Sequence, residues 1–376
     1  MQTPFENLRC WAEIDLSALR HNAAVASRLA GPDAGIMAIV KANAYGHGLP
    51  EVARALRDIV RMYGVANLHE AEALRAAIGA GGPEIFILGA ALPGERSAIV
   101  AGGFVPAISG VEEAAAYSAI AGNRRISVHL AIDTGMGRMG IAEEDAARVV
   151  AEIAKLPGIE ICGIATHLPV PDEDERYTED QLRRFQAVTA AAREAGARLP
   201  LIHALNSAGI FRFPGYAGTM VRAGLMLYGI SPLPDFQRQL RPALTLKTRI
   251  ILVREHHAGS SISYGRTFIT PGPARVATLA FGYADGYHRA LSNQGTEVLI
   301  RGHRCPLLGR VTMDQIMVDV SDVPAATIGD EAILIGDAGG ECILASDLAE
   351  KAGTIPWEIF TSIGTRVERL YHGHGA

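Results

Sequence analysis

The sequence predicts an α/β protein: a (β/α)8 barrel (TIM barrel) followed by a mainly β C-terminal domain. From about residue 36 to residue 240, short apolar runs alternate with alanine-rich segments of helical spacing, separated by glycine or proline. After residue 240 the apolar runs follow one another without such helical segments. No Gly-x-Gly-x-x-Gly motif follows any predicted strand, which disfavours an open dinucleotide-binding sheet.

Eight apolar runs are predicted as the strands of the barrel: residues 36–41, 62–67, 84–89, 104–109, 126–133, 159–167, 201–206 and 220–224. Between them, segments such as 143–156 and 179–195 place apolar residues three and four positions apart, as helices that cover a barrel do. The loops after the strand C-termini hold the chemistry in such barrels. Five polar residues stand there, namely Lys41, Asp133, His167, Asn206 and Arg222.

The domain boundary is predicted after residue 240, with the barrel at 12–240 and the β-rich domain at 241–376. The predicted strands of the second domain are 243–254, 275–281, 297–300, 315–320 and 331–335. Residues 1–11 are candidates for pairing with this domain, because the run 9–15 precedes the first barrel helix. The closing residues 371–375 are expected to fray, although their two histidines could bind a metal adventitiously.

Composition and charge favour small-molecule chemistry. The 376 residues carry a formal net charge of −5 without long runs of one sign, so no patch for nucleic acid or an anionic membrane is predicted. The N-terminus lacks the pattern of an export signal, and no apolar run is long enough to cross a bilayer. The four cysteines lack metal-ligand spacing and are predicted to be reduced thiols. We therefore expect a cytoplasmic protein without a structural metal.

Lys41 is the first candidate for catalysis. It ends an apolar run, so its stem is predicted to lie inside the barrel, where an isolated ammonium group is unfavourable. Burial lowers the pKa of a lysine and makes it a nucleophile, which suits a Schiff base with an aldehyde cofactor. A buried ion pair would explain the position equally well. Position alone does not decide between these two interpretations.

The residues after Lys41 favour the Schiff base over the buried ion pair. The run Lys41-Ala42-Asn43-Ala44-Tyr45-Gly46-His47-Gly48 resembles, over its full length, the cofactor attachment motif of the alanine racemase family. The resemblance continues through nearly the whole chain, in DTGMGRMG (133–140), HALNSA (203–208), RAG (222–224), SYG (263–265), GYADG (282–286) and MDQ (313–315). It implies a fold type III enzyme that uses pyridoxal 5'-phosphate, works as a homodimer with shared active sites, and interconverts L- and D-alanine, supplying D-alanine for peptidoglycan.

The resemblance also implies catalytic roles. Lys41 would hold the cofactor and serve as the base for the D-enantiomer, while Tyr264 of the partner subunit would serve the opposite face of the substrate. His167 and Arg222 would form a relay that helps the tyrosine gain and lose its proton. Arg222 would also donate to the pyridine nitrogen. An arginine cannot readily protonate that nitrogen, which weakens the electron sink and favours racemisation over decarboxylation.

The implied binding residues form two sets. The cofactor would contact Lys41, Tyr45, Asn206, Ser207, Arg222, Gly224, Leu225 and Trp357. The substrate would meet Arg138 and Met313 at its carboxylate, with Asp314 nearby and Tyr283 at the entrance. No residue is assigned to a metal.

Three positions depart from the family pattern. Ala131 stands where a carbamylated lysine commonly orients the substrate-binding arginine, so we expect a chloride ion or an ordered water near Arg138. Trp357 replaces a tyrosine that donates to the phosphate, which predicts weaker anchoring or a tighter entrance. Ala165 stands where a bulkier aromatic is often found, which could loosen substrate choice.

Several alternatives remain. A broader-specificity or serine racemase of the same fold fits the three departures. A non-catalytic pyridoxal-phosphate-binding homeostasis protein would lack the second domain that carries Tyr264 and Met313. A decarboxylase would place an acid where Arg222 stands, and a D-amino-acid dehydratase would need a His/Cys pair for a metal near the C-terminus, which is missing.

Overall fold

A computed structural model describes residues 7–373 of the chain, and these residues divide into two units. The barrel unit comprises Leu19–Ala44 and Leu49–Arg241. The β unit comprises residues 7–18, 45–48 and 242–373 of the described chain. The short segment 45–48 therefore belongs to the β unit, although the chain on either side of it belongs to the barrel unit.

The strands, in chain order, are β1 (Cys10–Asp15), β2 (Gly35–Ile39), β3 (Met62–Val65), β4 (Glu84–Ile87), β5 (Val105–Ile108), β6 (Ile126–Asp133), β7 (Ile141–Ala142), β8 (Ile159–Ala165), β9 (Leu201–His203), β10 (Met220–Ala223), β11 (Leu244–His256), β12 (Ser261–Ile262), β13 (Phe268–Ile269), β14 (Ala274–Leu279), β15 (Glu297–Ile300), β16 (His303–Pro306), β17 (Ile316–Asp319), β18 (Glu331–Ala338), β19 (Glu341–Ile343) and β20 (Glu368–His372).

The helices are α1 (Leu16–Ala30), α2 (Lys41–Tyr45), α3 (Leu49–Leu56), α4 (Leu68–Ile78), α5 (Arg96–Ala101), α6 (Val111–Ala121), α7 (Ala146–Ile153), α8 (Glu175–Glu194), α9 (Ser207–Arg212), α10 (Ala345–Ala352) and α11 (Pro356–Thr361). Side chains cap the N-termini of several barrel helices. Asn67 accepts from the backbone N–H of Glu70 at the start of α4, and Asp174 accepts from that of Tyr177 in α8.

The barrel unit is a parallel barrel of eight strands. The hydrogen-bonded order is β10-β2-β3-β4-β5-β6-β8-β9, with β7 added beside β6. Two backbone hydrogen bonds link the ends of this order, from Thr219 N to Ile202 O at 3.1 Å and from Arg222 N to Leu205 O at 2.9 Å. Apolar runs such as β3 and β10 are buried throughout, as expected for strands covered on both faces. The predicted fold class is confirmed.

The β unit is built on a second sheet of nine strands. Its main order is β16-β15-β18-β11-β1-β20; β14 pairs with β11 and β17, and β19 pairs with β18. The N-terminal strand β1 runs antiparallel to β11 and parallel to β20. Strands β16, β19 and β20 had no prediction from sequence.

The expectation that the chain frays from residue 371 is wrong for Tyr371 and His372. These residues end β20, in register with Ile14 and Asp15 of β1. The open edge of β1 supplies backbone partners for this short strand, which its own charged sequence did not reveal. The predicted tail residues 374 and 375, and residues 1–6 of the candidate pairing segment, lie outside the described residues.

Candidate functional site

Lys41 begins a left-handed turn at the C-terminal end of β2. Residues 42–45 have φ angles of 52° or 53°, and none of them is glycine. Left-handed backbone costs about 1–2 kcal/mol for each residue with a Cβ atom. Such strain persists only where the surroundings enforce it, and it is concentrated at functional sites.

Side chains stabilise this turn from outside. Glu70 accepts from the backbone N–H of Ala42 at 2.7 Å and, through its other oxygen, from that of Ala66 at 2.8 Å. The side chain of Asn43 accepts from the backbone N–H of Leu49 at 2.8 Å. The N–H groups of Ala42 and Leu49 stand at the starts of α2 and α3, where a helix offers no internal partner, so these bonds satisfy them and hold the turn that presents Lys41.

Burial and one nearby cation lower the pKa of Lys41. Desolvation is the larger cause, and the positive charge of Arg138 adds to it, while Glu70 acts in the opposite direction. A lowered pKa increases the share of neutral amine, which is the nucleophilic form. The site thus contains an amine prepared to react with a carbonyl group.

Arg222, at the end of β10, is the buried centre of the barrel site. Its Nη1 donates to the carbonyl oxygen of His203 at 2.8 Å and contacts Nδ1 of the same residue at 2.7 Å. Its Nη2 donates to the carbonyl oxygens of Thr166 at 2.7 Å and Ala204 at 2.8 Å, and contacts Nδ1 of His167 at 3.2 Å. Burial, then the charge of Arg138, lowers the pKa of Arg222 to about 10.

Arg222 fixes the tautomers of two further histidines. A guanidinium has only donors, so Nδ1 of His203 accepts and its Nε2 carries the proton. That Nε2 lies 2.9 Å from Nδ1 of His129, which must then accept as well. Both rings are fully buried. Burial is the main reason that the pKa of His203 falls well below 6.5 and that of His129 falls to about 3, so both stay neutral.

Arg222 also fixes the tautomer of His167. Its Nδ1 accepts from Arg222, which places the ring proton on Nε2. Burial lowers the pKa of His167 to about 3, and the positive charges of Arg222, Arg138 and Lys41 add to the effect. His167 is therefore a neutral ring that offers an N–H donor at Nε2.

Ser207 lies where backbone donors converge. Its hydroxyl oxygen accepts from the N–H of Gly224 at 3.1 Å and from that of Met226 at 3.3 Å. Leu225, between them, starts a short 3-10 helix. Asn206 caps α9 by accepting from Gly209 N at 3.1 Å. The hydroxyl and amides of Ser207 and Gly224 form a group of donors suited to a phosphate.

Arg138 lies on the loop after β6. Asp133 holds this loop by accepting from the backbone N–H groups of Gly135 and Gly137, each at 3.0 Å. Arg184 of α8 donates to the carbonyl oxygen of Thr134 at 2.9 Å. Within residues 7–373, no hydrogen bond or ion pair joins Arg138 to another side chain. Its charge is available for an anion.

The β unit carries the other predicted site residues. Tyr264 follows Ser263, whose φ is 65°, and is 70% exposed. Tyr283 and Met313 lie on neighbouring segments, since Ala284 N donates to the carbonyl oxygen of Met313 at 3.0 Å, and both are also exposed. An exposed group of large apolar side chains is typical of a surface that binds another molecule.

The remaining site residues of the β unit are engaged in hydrogen bonds. Asp314 accepts from Arg366 at 2.6 Å. Tyr45 is buried and accepts a hydrogen bond from the side chain of Trp357, while burial raises the pKa of its phenol. The single indole N–H of Trp357 is thus directed at Tyr45.

The predicted site residues divide between the two units. The barrel unit holds Lys41, Arg138, His167, Asn206, Ser207, Arg222, Gly224 and Leu225, and the β unit holds Tyr45, Tyr264, Tyr283, Met313, Asp314 and Trp357. Among residues 7–373, no cluster of three His, Cys, Asp or Glu side chains could hold a metal ion, and no helix is long and apolar enough to cross a membrane.

Sequence reasoning missed three residues of the barrel site. His129 and His203 extend the network of Arg222, and Glu70 supports the turn at Lys41. Glu70 could have been noticed, because Asn67 and Glu70 have the spacing of a capping box. A single histidine inside a strand gives no comparable signal.

The architecture and the site define a class of protein: a (β/α)8 barrel with a reactive lysine at the C-terminal end of its strands, joined to a separate β unit. The family model described as the alanine racemase N-terminal domain matches residues 14–232, and that of the alanine racemase C-terminal domain matches residues 243–371. The chain therefore belongs to the alanine racemase family.

Relatives and solved structures agree with this assignment. Alanine racemase of Geobacter sulfurreducens is 43% identical and that of Halothermothrix orenii 41% identical, and the matches cover 96% of this chain and of each relative. Alanine racemase of Clostridium difficile superposes with a TM-score of 0.90 at 34% identity, covering 97% of this chain and 96% of that one. The structure from Bartonella henselae, with covalently bound pyridoxal phosphate, has a TM-score of 0.88 at 28% identity, covering 97% and 99%.

Proposed function

We propose that the protein is a pyridoxal-phosphate-dependent alanine racemase that interconverts L- and D-alanine. The observation that carries the proposal is the barrel site, in which Lys41, with a lowered pKa, lies near the charged Arg138 and near the neutral ring of His167, which Arg222 holds. The named relatives support alanine as the substrate. In this proposal residues 12–240 form the cofactor-binding domain and residues 241–376 supply the second base.

The residues fit pyridoxal phosphate. Lys41 offers the amine that the aldehyde requires, and the donors at Ser207, Gly224 and Leu225, with Tyr45 oriented by Trp357, would hold the phosphate. Asn206 would support this loop through its cap on α9. When bound, the cofactor would supply an electron sink that acidifies the Cα–H bond of the amino acid.

Arg222 would donate to the pyridine nitrogen. Its Nη1 and Nη2 are occupied by protein acceptors, whereas Nε–H has no acceptor within residues 7–373. Even with a pKa of about 10, the guanidinium stays charged at neutral pH and gives up no proton. A donor of this kind favours a simple proton exchange, which argues against the decarboxylase alternative.

Two bases would serve opposite faces of the substrate. Lys41 would take and return the proton on the D side, and Tyr264 of the partner subunit would do so on the L side. His167 would direct its Nε2–H at that phenol and so stabilise its deprotonated form. The high exposure of Tyr264 in a single chain supports a homodimer in which this side chain completes the partner's site.

Arg138 and the main chain at Met313 would bind the substrate carboxylate, with Asp314 nearby and Tyr283 at the entrance. Because Arg138 has no carboxylate partner within residues 7–373, we propose a chloride ion beside it. Crystals soaked in bromide would show an anomalous peak at Arg138. Its absence would exclude a halide and leave an ordered water as the neighbour.

A racemase with broader specificity, including serine, is the second candidate. Ala131 and Ala165 are paired in register on β6 and β8, so two small side chains meet where the family has larger ones. Extra space at such a position admits a larger substrate side chain. The proposed cellular role is the supply of D-alanine for peptidoglycan in the cytoplasm.

The test is incubation of the purified protein with L-alanine, L-serine and L-lysine separately in deuterated water, followed by measurement of deuterium at Cα and of the enantiomeric ratio. We expect exchange with inversion for L-alanine. Lys41→Ala should abolish both the exchange and the visible absorption of the bound cofactor. A wild-type protein that exchanges none of the three substrates would overturn the proposal.

A further inference from the structure

The segment Tyr45–Gly48 follows Lys41 closely in sequence but is packed in the β unit. Arg369 of β20 donates from Nε to the carbonyl oxygen of Gly46 at 3.1 Å. The guanidinium is itself fixed by three further backbone carbonyls, those of Ile363 at 2.8 Å, Gly364 at 2.7 Å and Val367 at 2.6 Å. Arg369 thus ties this segment to the C-terminal end of the chain.

The packing around the segment leaves no room for a side chain at either of its glycines. A Cβ atom on Gly46 would overlap the carbonyl oxygen of Phe360, and one on Gly48 would overlap the hydroxyl of Tyr371. The ring of His47 meets the ring of Phe360 edge-on, with centroids 4.9 Å apart. Helix α11 and strand β20 therefore enclose the segment on several sides.

Trp357 adds a contact at the start of the segment. Its indole N–H donates to the phenol oxygen of Tyr45, which is buried. Trp357 therefore orients Tyr45, and this role differs from the direct phosphate contact expected from the sequence.

We propose that Arg369 is a positioning residue for Lys41 and Tyr45, with Trp357 as its accessory on Tyr45. The proposal rests on the proposed function, because these two residues matter as cofactor ligands. Only residues 42–44 separate them, and all three are held in left-handed backbone. A strained turn persists only where its surroundings enforce it, and Arg369 fixes the residues that directly follow this turn.

The experiment compares wild type with Arg369→Lys and Arg369→Met. A lysine keeps the charge but cannot reach four carbonyl oxygens from one nitrogen atom. We expect faster hydrogen–deuterium exchange in the peptide 41–48 of the cofactor-free protein, and a Kd for pyridoxal phosphate raised by about ten-fold, the effect of losing one well-placed hydrogen bond. The kcat/KM for alanine should fall in both variants.

The matched control is Arg301→Lys, which alters a surface arginine of the β unit that pairs with Asp330. It should leave exchange in 41–48 and the cofactor Kd unchanged. Trp357→Phe removes the indole N–H donor while keeping an aromatic ring, and it is expected to fold normally, with a Kd raised several-fold. It keeps the test decisive if the Arg369 variants do not fold.

The outcomes separate the two proposals. If wild type binds no pyridoxal phosphate, the proposed function fails whatever the variants do. If wild type binds and racemises, but folded Arg369 variants have wild-type exchange in 41–48 and a wild-type Kd, the positioning role alone is overturned. The same holds if the Arg369 variants are unfolded and Trp357→Phe has a wild-type Kd.

Discussion

Arg222 holds His167 in a single tautomer. Its Nη2 lies 3.2 Å from Nδ1 of the imidazole, and because a guanidinium only donates, the ring proton must be on Nε2. Burial and three nearby cations lower the pKa of His167 to about 3, so the ring remains neutral at physiological pH. His167 should act as a hydrogen-bond donor and not as a proton carrier.

This relationship predicts that His167→Gln is tolerated better than His167→Leu. A glutamine amide can accept a hydrogen bond from Arg222 and donate one towards the phenol of Tyr264, whereas leucine does neither. We expect kcat/KM for L-alanine to fall within about ten-fold in His167→Gln and by about a hundred-fold or more in His167→Leu. Equal losses in the two variants would mean that the ring itself transfers a proton.

The lowered pKa of Lys41 predicts that the cofactor attaches at a lower pH than it would to an ordinary lysine. The reactive form is the neutral amine, which is present above the pKa, so the rate of reconstitution should reach its plateau below the 10.5 of an ordinary lysine. Stopped-flow absorbance of cofactor-free protein mixed with pyridoxal phosphate measures this midpoint.

Two variants test whether nearby charges cause the shift in the pKa of Lys41. Arg138→Gln removes a cation that lowers the pKa, so the midpoint should move up, and Glu70→Gln removes an anion that raises it, so the midpoint should move down. Shifts in the same direction for both variants would contradict the electrostatic explanation.

The three neutral histidines predict loss of stability in acid. In the folded state the pKa values of His129 and His167 are about 3 and that of His203 is far below 6.5, whereas in the unfolded chain all three are near 6.5. The unfolded state therefore takes up protons as pH falls below about 6.5, and each histidine lowers the free energy of unfolding by about 1.4 kcal/mol per pH unit. This loss continues towards pH 3.

Urea unfolding of the cofactor-free protein between about pH 4.5 and 6.5 tests this slope. His129→Gln should reduce the slope by the share of one histidine, whatever its effect on stability at neutral pH. His303→Gln is the control, because this exposed histidine lies outside the buried group. A slope in wild type no steeper than in His129→Gln would show that the buried ring is already protonated.

Much of the architecture could be predicted because parallel barrel strands are apolar on both faces. The apolar run that forms β2 is followed by Lys41, so the end of the run correctly predicted that this lysine lies at the C-terminal end of the strand. Strand β20 could not be predicted in this way, because Glu368 and Arg369 interrupt its apolar pattern and its partner β1 is more than 350 residues away. The left-handed turn after Lys41 could not be predicted either, since alanine residues favour the right-handed helix.

The site was predictable only where a motif named its residues. The pairing of His129 with His203 depends on two strands that are distant in the sequence, and neither histidine has a local pattern that identifies its partner. The tautomers follow from Arg222 and could be derived only after the contacts were known.

The proposed sharing of active sites between two subunits predicts that two inactive variants complement each other. Lys41→Ala lacks one base and Tyr264→Phe lacks the other, so each homodimer should be inactive. In a mixed dimer, one site receives Lys41 from one subunit and Tyr264 from the other. Random mixing makes half of the dimers mixed with one intact site each, so about a quarter of wild-type activity should return.

The measurement is the racemisation rate after the two variants are unfolded together and refolded, with each variant refolded alone as the control. Recovery that rises with the mixed fraction supports the shared site. Absence of recovery, with mixed dimers verified by two different affinity tags, would place both bases in one chain.

Trp357 predicts how the entrance limits substrate size. An indole is bulkier than the phenol that the family has at this position, and its one N–H is directed at Tyr45. In Trp357→Tyr we expect kcat/KM for L-serine to rise relative to that for L-alanine, because the smaller ring leaves space for a hydroxymethyl group. We also expect the Kd for pyridoxal phosphate to fall by about three-fold to ten-fold, the effect of one added neutral hydrogen bond.

Steady-state kinetics with both amino acids and a fluorescence titration of the cofactor measure the two effects. A variant with the wild-type substrate ratio and the wild-type Kd would show that this position controls neither the entrance nor the phosphate, and that any broad specificity must come from Ala131 and Ala165 on the barrel strands.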